Sequence, residues 1–176
     1  KKNTIAYSHN IGKKSNSKKG IVFLSGFMSN MAGSKALYLE NKCKICEREF
    51  LRFDYSGHGI SSGNIVNSNI GRWLDESLYL IQKLTKGPQI LIGSSMGGWL
   101  ATIIAKKIPK KIHSLIGIAP AIDFTKTLWD YSLTTKQKNI LNKKGSIRIK
   151  NEYSEEGYIF TKKLFLEAEK HLLLNN

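Results

Sequence analysis

Four short, mainly apolar runs punctuate the chain: Ile21-Val22-Phe23-Leu24, Phe50-Leu51-Arg52-Phe53, Ile90-Leu91-Ile92 and Ile112 to Ala119. An apolar run without polar alternation suits a strand covered on both faces, as in a parallel sheet packed between helices. Between the runs the pattern changes period. From Asn69 to Lys86, the residues Trp73, Leu74, Leu78, Ile81 and Leu84 fall at helical spacing. Two more helices are expected, one capped by Ser34 and running to about Asn41, the other from about Met96 to Ile108. Gly26, Gly87-Pro88, Pro109 and Pro120 supply the stop signals. Strands that alternate with helices predict right-handed crossovers. The expected class is therefore α/β, a mainly parallel sheet with helices on both faces. Ile5 to Tyr7 is expected as a short edge strand, and the lysine-rich stretch Gly12 to Gly20 as a hairpin or loop.

The pattern loosens after Ala121. Lys136 to Lys144 reads as a short helix and Ser146 to Lys150 as a strand or hairpin arm. Thr161 reads as the N-cap of a last helix through about Leu174. No further strand-helix unit follows the fourth run, so the sheet looks unfinished and the tail resembles a lid. Residues 1–176 thus read as one domain fragment, with 1–120 the core and 121–176 lid-like.

Composition adds a strong charge bias. Lys and Arg number 28 against 13 Asp and Glu, a formal net charge of +15. Hydrophobic residues at 41% exclude disorder throughout. The basic excess raises the possibility of a nucleic-acid or membrane-surface binder. Its lysines, however, come as scattered pairs such as Lys106-Lys107, Lys110-Lys111 and Lys143-Lys144, without interleaved aromatics. That is a lysine-rich surface, and no nucleic-acid partner is expected. No apolar run is long enough to span a bilayer. Cys43 and Cys46 form a C-x-x-C, but after a helix and before a strand, the wrong end for a redox pair. Both read as ordinary thiols in a reducing compartment, which suggests a cytoplasmic location.

Gly93-Ser94-Ser95-Met96-Gly97 carries the clearest chemical signal. It fits G-x-S-x-G, with a buried strand before it and a helix after it. The chemistry needs a serine on a sharp strand-to-helix turn, so that its hydroxyl stands clear of the sheet. Small residues two positions to either side let strand and helix pass closely. The alternative is a glycine turn without chemistry; Ser94 is off-register for the motif. A helix starting behind Ser95 favours negative charge there, and the N–H of Met96 is then one arm of an oxyanion hole. Ser25-Gly26-Phe27-Met28 is the loop expected to supply the second arm, through the N–H of Phe27. The Phe27 ring also suits a hydrophobic pocket wall.

With these residues in view, the chain resembles the α/β-hydrolase superfamily. More narrowly it resembles bacterial relatives of the mitochondrial acyl-protein thioesterase and acyl-glucuronide esterase branch. The resemblance rests on Phe23 to Ala36, Arg52 to Gly63, Gly71-Arg72-Trp73, Gly87 to Trp99 and Gly117 to Thr125. It implies a serine hydrolase that cleaves carboxylic esters or thioesters through an acyl-enzyme on Ser95. The substrate would be a small molecule or an acylated partner. In this superfamily the order is nucleophile, acid, histidine, and the last two lie after later strands. Those two are expected beyond Asn176, and the 176-residue chain alone is expected to be inactive. A non-catalytic binding protein and a serine peptidase are the alternatives.

Four histidines could substitute for the missing base. His113 begins a strand at the end opposite the elbow, His9 lies near the N-terminus, and His171 is expected on a helix surface. His58 follows a strand on the same side as Ser95, in a glycine-flanked loop upstream of the nucleophile. Asp54 is expected to brace its own loop, and Asp123 to be structural or pocket-lining. Phe124, Leu128, Trp129 and Tyr131 are expected to pack within the lid or wall an acyl chain. No metal-ligand spacing, phosphate-binding loop or flavin motif is present, so no cofactor or metal is expected. The oligomeric state is left open.

Overall fold

The computed structural model describes residues 4–13, 19–151 and 154–174. Five strands form one sheet: β1 (Tyr7–Asn10), β2 (Ile21–Leu24), β3 (Phe50–Phe53), β4 (Gln89–Ser94) and β5 (Ile112–Ile118), in the order β1-β3-β2-β4-β5. β1 runs antiparallel to β3; the other pairs are parallel. Helix α1 (Ser34–Ile45) joins β2 to β3, α2 (Ile70–Leu84) joins β3 to β4, and α3 (Met96–Lys107) joins β4 to β5.

The four apolar runs are the four parallel strands; in β2, β3 and β4 the side chains divide by alternation, whereas β5, at the edge of the sheet, is mostly exposed rather than covered on both faces. Val22, Leu24, Leu51, Phe53 and Leu91 pack with Trp73, Leu74 and Ile81 of α2 and with Trp99, Leu100 and Ile104 of α3. Ile21, Phe23, Phe50 and Ile92 face the other way, onto Ala36 and Cys43 of α1. Helices therefore cover both faces. The crossover from β2 leads to β3 on one side, and that from β4 leads to β5 on the other. Between β2 and β4 the winding reverses, and a crevice opens beyond their carboxyl ends, where ligands bind in open α/β sheets.

Several boundaries differ from expectation. The edge strand is Tyr7–Asn10 rather than Ile5 to Tyr7, because its polar residues find fixed partners: Ser8 Oγ donates to Glu40 (2.8 Å), and His9 Nε2 lies 2.9 Å from Glu49. Helix α1 starts from Gly33, not from a Ser34 cap, and continues past Asn41 to Ile45. Most of the Gly12 to Gly20 stretch lies outside the described residues. Asn69 caps α2 by accepting from Arg72 N–H (2.9 Å).

The tail is more ordered than the pattern suggested. A short helix α4 (Phe124–Thr127) runs into a π-turn at Leu128–Ser132, and α5 (Thr135–Lys144) follows with a Thr134/Gln137 capping box. Strands β6 (Ser146–Asn151) and β7 (Ser154–Thr161) make an antiparallel hairpin. Thr161 does cap the last helix, accepting from Leu164 N–H at 3.1 Å. That helix, α6 (Lys162–Ala168), ends six residues short of Leu174, since the chain tightens into a 3₁₀ turn at Glu169–His171. Leu133, Leu141, Ile147, Phe160, Leu164 and Phe165 join the core cluster. Tyr131 is 85% exposed and takes no part in the aromatic packing expected of it.

The glycines around the β4–α3 turn are dictated by contact. A Cβ on Gly97 would overlap the carbonyl of Leu24, one on Gly93 the backbone of Gly97 and Gly98, and one on Gly98 the ring of Pro120. Gly97→Ala is expected to lower unfolding stability by about 1–3 kcal/mol, the usual cost of overpacking. Urea unfolding of the complete protein checks this. A loss under about 0.5 kcal/mol, the range of neutral surface changes, would contradict the packing argument.

Candidate active site

Ser95 joins β4 to α3 with φ 54° and ψ −122°, a left-handed conformation unusual for a side-chain-bearing residue. Such a conformation costs on the order of 1–3 kcal/mol and persists only when its surroundings over-determine it. Here they do. Ser95 N–H donates to Ile118 O (3.1 Å), and Ser95 O accepts from Gly98 N–H (2.9 Å) and Ala121 N–H (3.0 Å). The serine is pinned between the end of β5 and the first turn of α3. It is exposed, whereas Ser94 and Met96 on either side are buried.

Ser95 opens onto a cleft of about 720 Å³. Phe27 and Met96 line the same cleft, so the three residues singled out from sequence meet. Phe27 sits among other rings: it stacks on Phe160 (5.2 Å between centroids) and meets Phe124 (5.7 Å) and Tyr158 (5.8 Å). No acceptor within the described residues engages the backbone N–H of Phe27 or Met96. Phe27 therefore offers both an aromatic wall and a free donor. Tyr158 and Phe160, on β7, were not identified from sequence. The alternation of Tyr158 and Phe160 along that strand was the available signal, obscured by the polar residues before it.

Behind the Phe27 loop lies a buried polar layer. Met28 has φ 58°, and its N–H donates to His58 Nε2 (3.1 Å). His58 Nδ1 lies 3.4 Å from the Ser56 carbonyl. These partners require the tautomer with the proton on Nδ1. Burial among Phe27, Tyr55 and Trp73 pushes the His58 pKa down, partly offset by the Ser56 carbonyl and by Asp54 and Glu76. The ring is held neutral, as an acceptor. Tyr55 donates to Ser25 O (3.2 Å) and Trp73 Nε1–H to Ser56 O (3.0 Å), and burial raises the Tyr55 phenol. His58 thus supports the cleft from behind.

The other candidates have structural partners. Asp54 braces two loops, accepting from Met31 N–H (2.6 Å) and Ile60 N–H (3.0 Å). Asp123 accepts from Leu173 N–H (2.9 Å) and Leu174 N–H (2.8 Å), tying the end of the tail to its start. His113 is exposed beside Ser114, 3.3 Å away. His171 is not the surface residue expected: its side chain is 16% exposed, its Nε2 lies 3.6 Å from Glu167, and its carbonyl accepts from Trp99 Nε1–H (3.1 Å). The end of α6 is folded onto α3, which draws it inward. Cys43 is buried, with its thiol pushed up by burial, and Cys46 is exposed; neither is in a disulfide. Among the described residues no group of His, Cys, Asp and Glu is arranged to hold a metal, and no helix is long and apolar enough to cross a membrane.

Residues 21–147 match the family model described as the alpha/beta hydrolase fold. The chain is 42% identical over 158 residues to human palmitoyl-protein thioesterase ABHD10, mitochondrial, covering 89% of this chain and 51% of that protein. Against the rat protein of the same name it is 39% identical over 174 residues, 98% of this chain and 57% of the relative. The chain thus spans little more than half the length of these curated relatives. In three dimensions it superposes on alpha/beta hydrolase domain-containing protein 10 from mouse with a TM-score of 0.85 at 38% identity, over 99% of this chain and 68% of that one. A solved protein from Agrobacterium vitis S4 gives a TM-score of 0.91 at 31% identity, over 97% and 67%. The relatives' mitochondrial designation overturns the cytoplasmic placement inferred from the cysteines. Cysteine usage does not distinguish one reducing compartment from another. With the strand-to-helix turn at Ser95, the switch-point crevice and these matches together, the chain belongs to the alpha/beta hydrolase fold family.

Proposed function

We propose that the complete protein is a serine hydrolase that cleaves carboxylic ester or thioester bonds through an acyl-enzyme on Ser95. One observation carries the reading: an exposed serine in a strained, fully pinned turn, sharing a cleft with two backbone N–H groups that have no acceptor among the described residues. Ser95 Oγ attacks the acyl carbon and yields its proton to a histidine. The N–H groups of Phe27 and Met96 hold the developing oxyanion, with the α3 dipole behind them. Collapse breaks the C–O or C–S bond and releases an alcohol or thiol, protonated by the histidinium. Water, activated by the same histidine, then frees the acid.

His9, His58, His113 and His171 all have partners away from Ser95. The proposal therefore places the base and its acid partner in the part of the protein outside these 176 residues. Residues 1–120 supply the nucleophile and the oxyanion donors, and residues 121–176 form the lid. Its Phe124, Tyr158 and Phe160, with Phe27, wall an apolar space suited to an acyl chain. The relatives named palmitoyl-protein thioesterase favour a fatty acyl group on a thiol.

Ser95→Ala in the complete protein is expected to abolish labelling by a fluorophosphonate probe. Its kcat/KM on a thioester should fall on the order of 10⁴-fold or more. Labelling that persists unchanged would overturn the assignment. His58 gives a second test. Its folded pKa lies below the unfolded value of about 6.5, so the unfolded chain binds more protons as pH falls. The stability it contributes is complete above about pH 6.5 and is lost on acidification through the folded pKa. Protonation also sets an N–H against the Met28 N–H. His58→Gln keeps an acceptor and does not titrate. Urea unfolding from about pH 7 to pH 5 should show a shallower loss in this variant than in wild type. Equal slopes would contradict the role given to His58.

A further inference from the structure

Lysine pairs that are scattered in sequence are gathered by the fold. From Ser77 to Ile122 the chain has six lysines and no Asp, Glu or Arg. Lys83 and Lys86 lie at and beyond the end of α2, just before β4. Lys106, Lys107, Lys110 and Lys111 lie between the last turn of α3 and the start of β5. β4 and β5 are neighbours and parallel, so all six collect at the amino ends of these two strands. Ser95 follows the other end of the six-residue β4, about 20 Å away at about 3.3 Å per residue. Helix dipoles account for part of the cluster, because Lys83, Lys106 and Lys107 close α2 and α3. Lys86, Lys110 and Lys111 lie beyond those turns. None of the six has an ion pair among the described residues. Lys111 Nζ donates to Thr85 O (2.9 Å), a neutral carbonyl that leaves its charge uncompensated. The acids that precede β3 at the same end, Glu47 and Glu49, are engaged by Lys13 and His9.

The surface between these lysines is not polar. A groove of about 430 Å³ is lined by Gln82, Lys107, Ile108, Pro109, Lys110 and Lys111, and its surface is mainly apolar. Tyr79, one turn before Gln82 on α2, is exposed beside it. Apolar surface ringed by ammonium groups fits an amphiphile with an anionic head, and lysine stems can lie along its apolar part. Tyrosine suits the level where an apolar phase meets water. Six charges spread over two strand crossovers fit an array of anions rather than a single one. A nucleic acid fits less well: the cluster has no Arg fork for phosphates and base edges, and one exposed ring gives no stacking track. We propose that the amino end of the sheet is a docking face for an anionic lipid bilayer, with lipid phosphates against the lysines and Ile108 and Pro109 at the headgroup boundary. The Ser95 cleft then faces away from the bilayer, toward the aqueous phase. This face is independent of the reaction at Ser95.

The test is sedimentation of the complete protein with vesicles, either of phosphatidylcholine alone or of phosphatidylcholine and phosphatidylglycerol in equal amounts. The protein should sediment with the anionic vesicles and stay in solution with the neutral ones. Salt at about 1 M, where the screening length falls to about 3 Å, should release it. A lysine near such a surface is worth about fivefold in partitioning. The triple variant Lys83→Gln, Lys107→Gln, Lys110→Gln should therefore partition about a hundredfold less. Arginine at the same three positions keeps the charge and should preserve binding. The net charge of +15 attracts any anionic surface, so a second triple variant removes the same charge elsewhere. Lys136→Gln, Lys143→Gln and Lys144→Gln, on α5 of the lid, should change partitioning by less than about twofold, since distant charges are screened. Equal losses in the two glutamine variants overturn the proposal, as does wild type that ignores anionic vesicles. Duplex DNA that binds wild type and is lost by the first variant, without any vesicle binding, marks a nucleic-acid face and overturns the lipid assignment.

Discussion

A Cβ on Gly97 would overlap the carbonyl of Leu24, and one on Gly93 would overlap the backbone of Gly97 and Gly98. This three-way approach of β2, β4 and α3 is the constraint from which the site follows. It brings the end of β2, with the Phe27 N–H, to the start of α3, with the Met96 N–H. It also leaves no relaxed conformation for the residue between β4 and α3. Ser95 takes that position at φ 54°, held by Ile118, Gly98 and Ala121. Strain and exposure are two effects of one packing contact: the turn that strains the backbone also lifts the hydroxyl out of the sheet.

A second layer supports this arrangement at a distance from the cleft. The loop after β2 could relax in many ways, yet Met28 is also left-handed, at φ 58°, and its N–H is held by a neutral histidine. His58 is fixed in turn by the Ser56 carbonyl, and Ser56 O also accepts from Trp73. Asp54 ties the same region to Met31 and Ile60. The strands β2 and β3 therefore extend into two loops that brace each other. The loop that carries Phe27 is thereby fixed from behind.

The sheet was legible because its signal is local. Unbroken runs such as Ile21 to Leu24 need cover on two faces, and glycine and proline mark where they stop. The turn at Ser95 was legible for the same reason, since its spacing and its strand–helix context lie within twenty residues. His58 was not, because its role depends on a contact with Met28 thirty residues away. Tyr158 and Phe160 were missed because Ser154, Glu155 and Glu156 open β7 with a polar stretch, and only tertiary packing shows which residues turn inward. The shift of β1 onto Ser8 and His9 has a similar cause, as partners at Glu40 and Glu49 make polar residues acceptable in a strand.

Asp123 closes the tail on itself. Its carboxylate receives the N–H groups of Leu173 and Leu174, fifty and fifty-one residues further on. Everything between leaves the sheet and returns to it at nearly one point, two residues from the Ala121 N–H that holds Ser95. Such a segment behaves as a loop tied off at its base. Closure entropy rises only slowly with length, by about 0.6 kcal/mol per doubling. Length changes in its exposed turns thus cost the anchor little, while the residues that join the core are held by packing. The tie at Asp123 keeps the start and end of this segment beside the turn that holds Ser95.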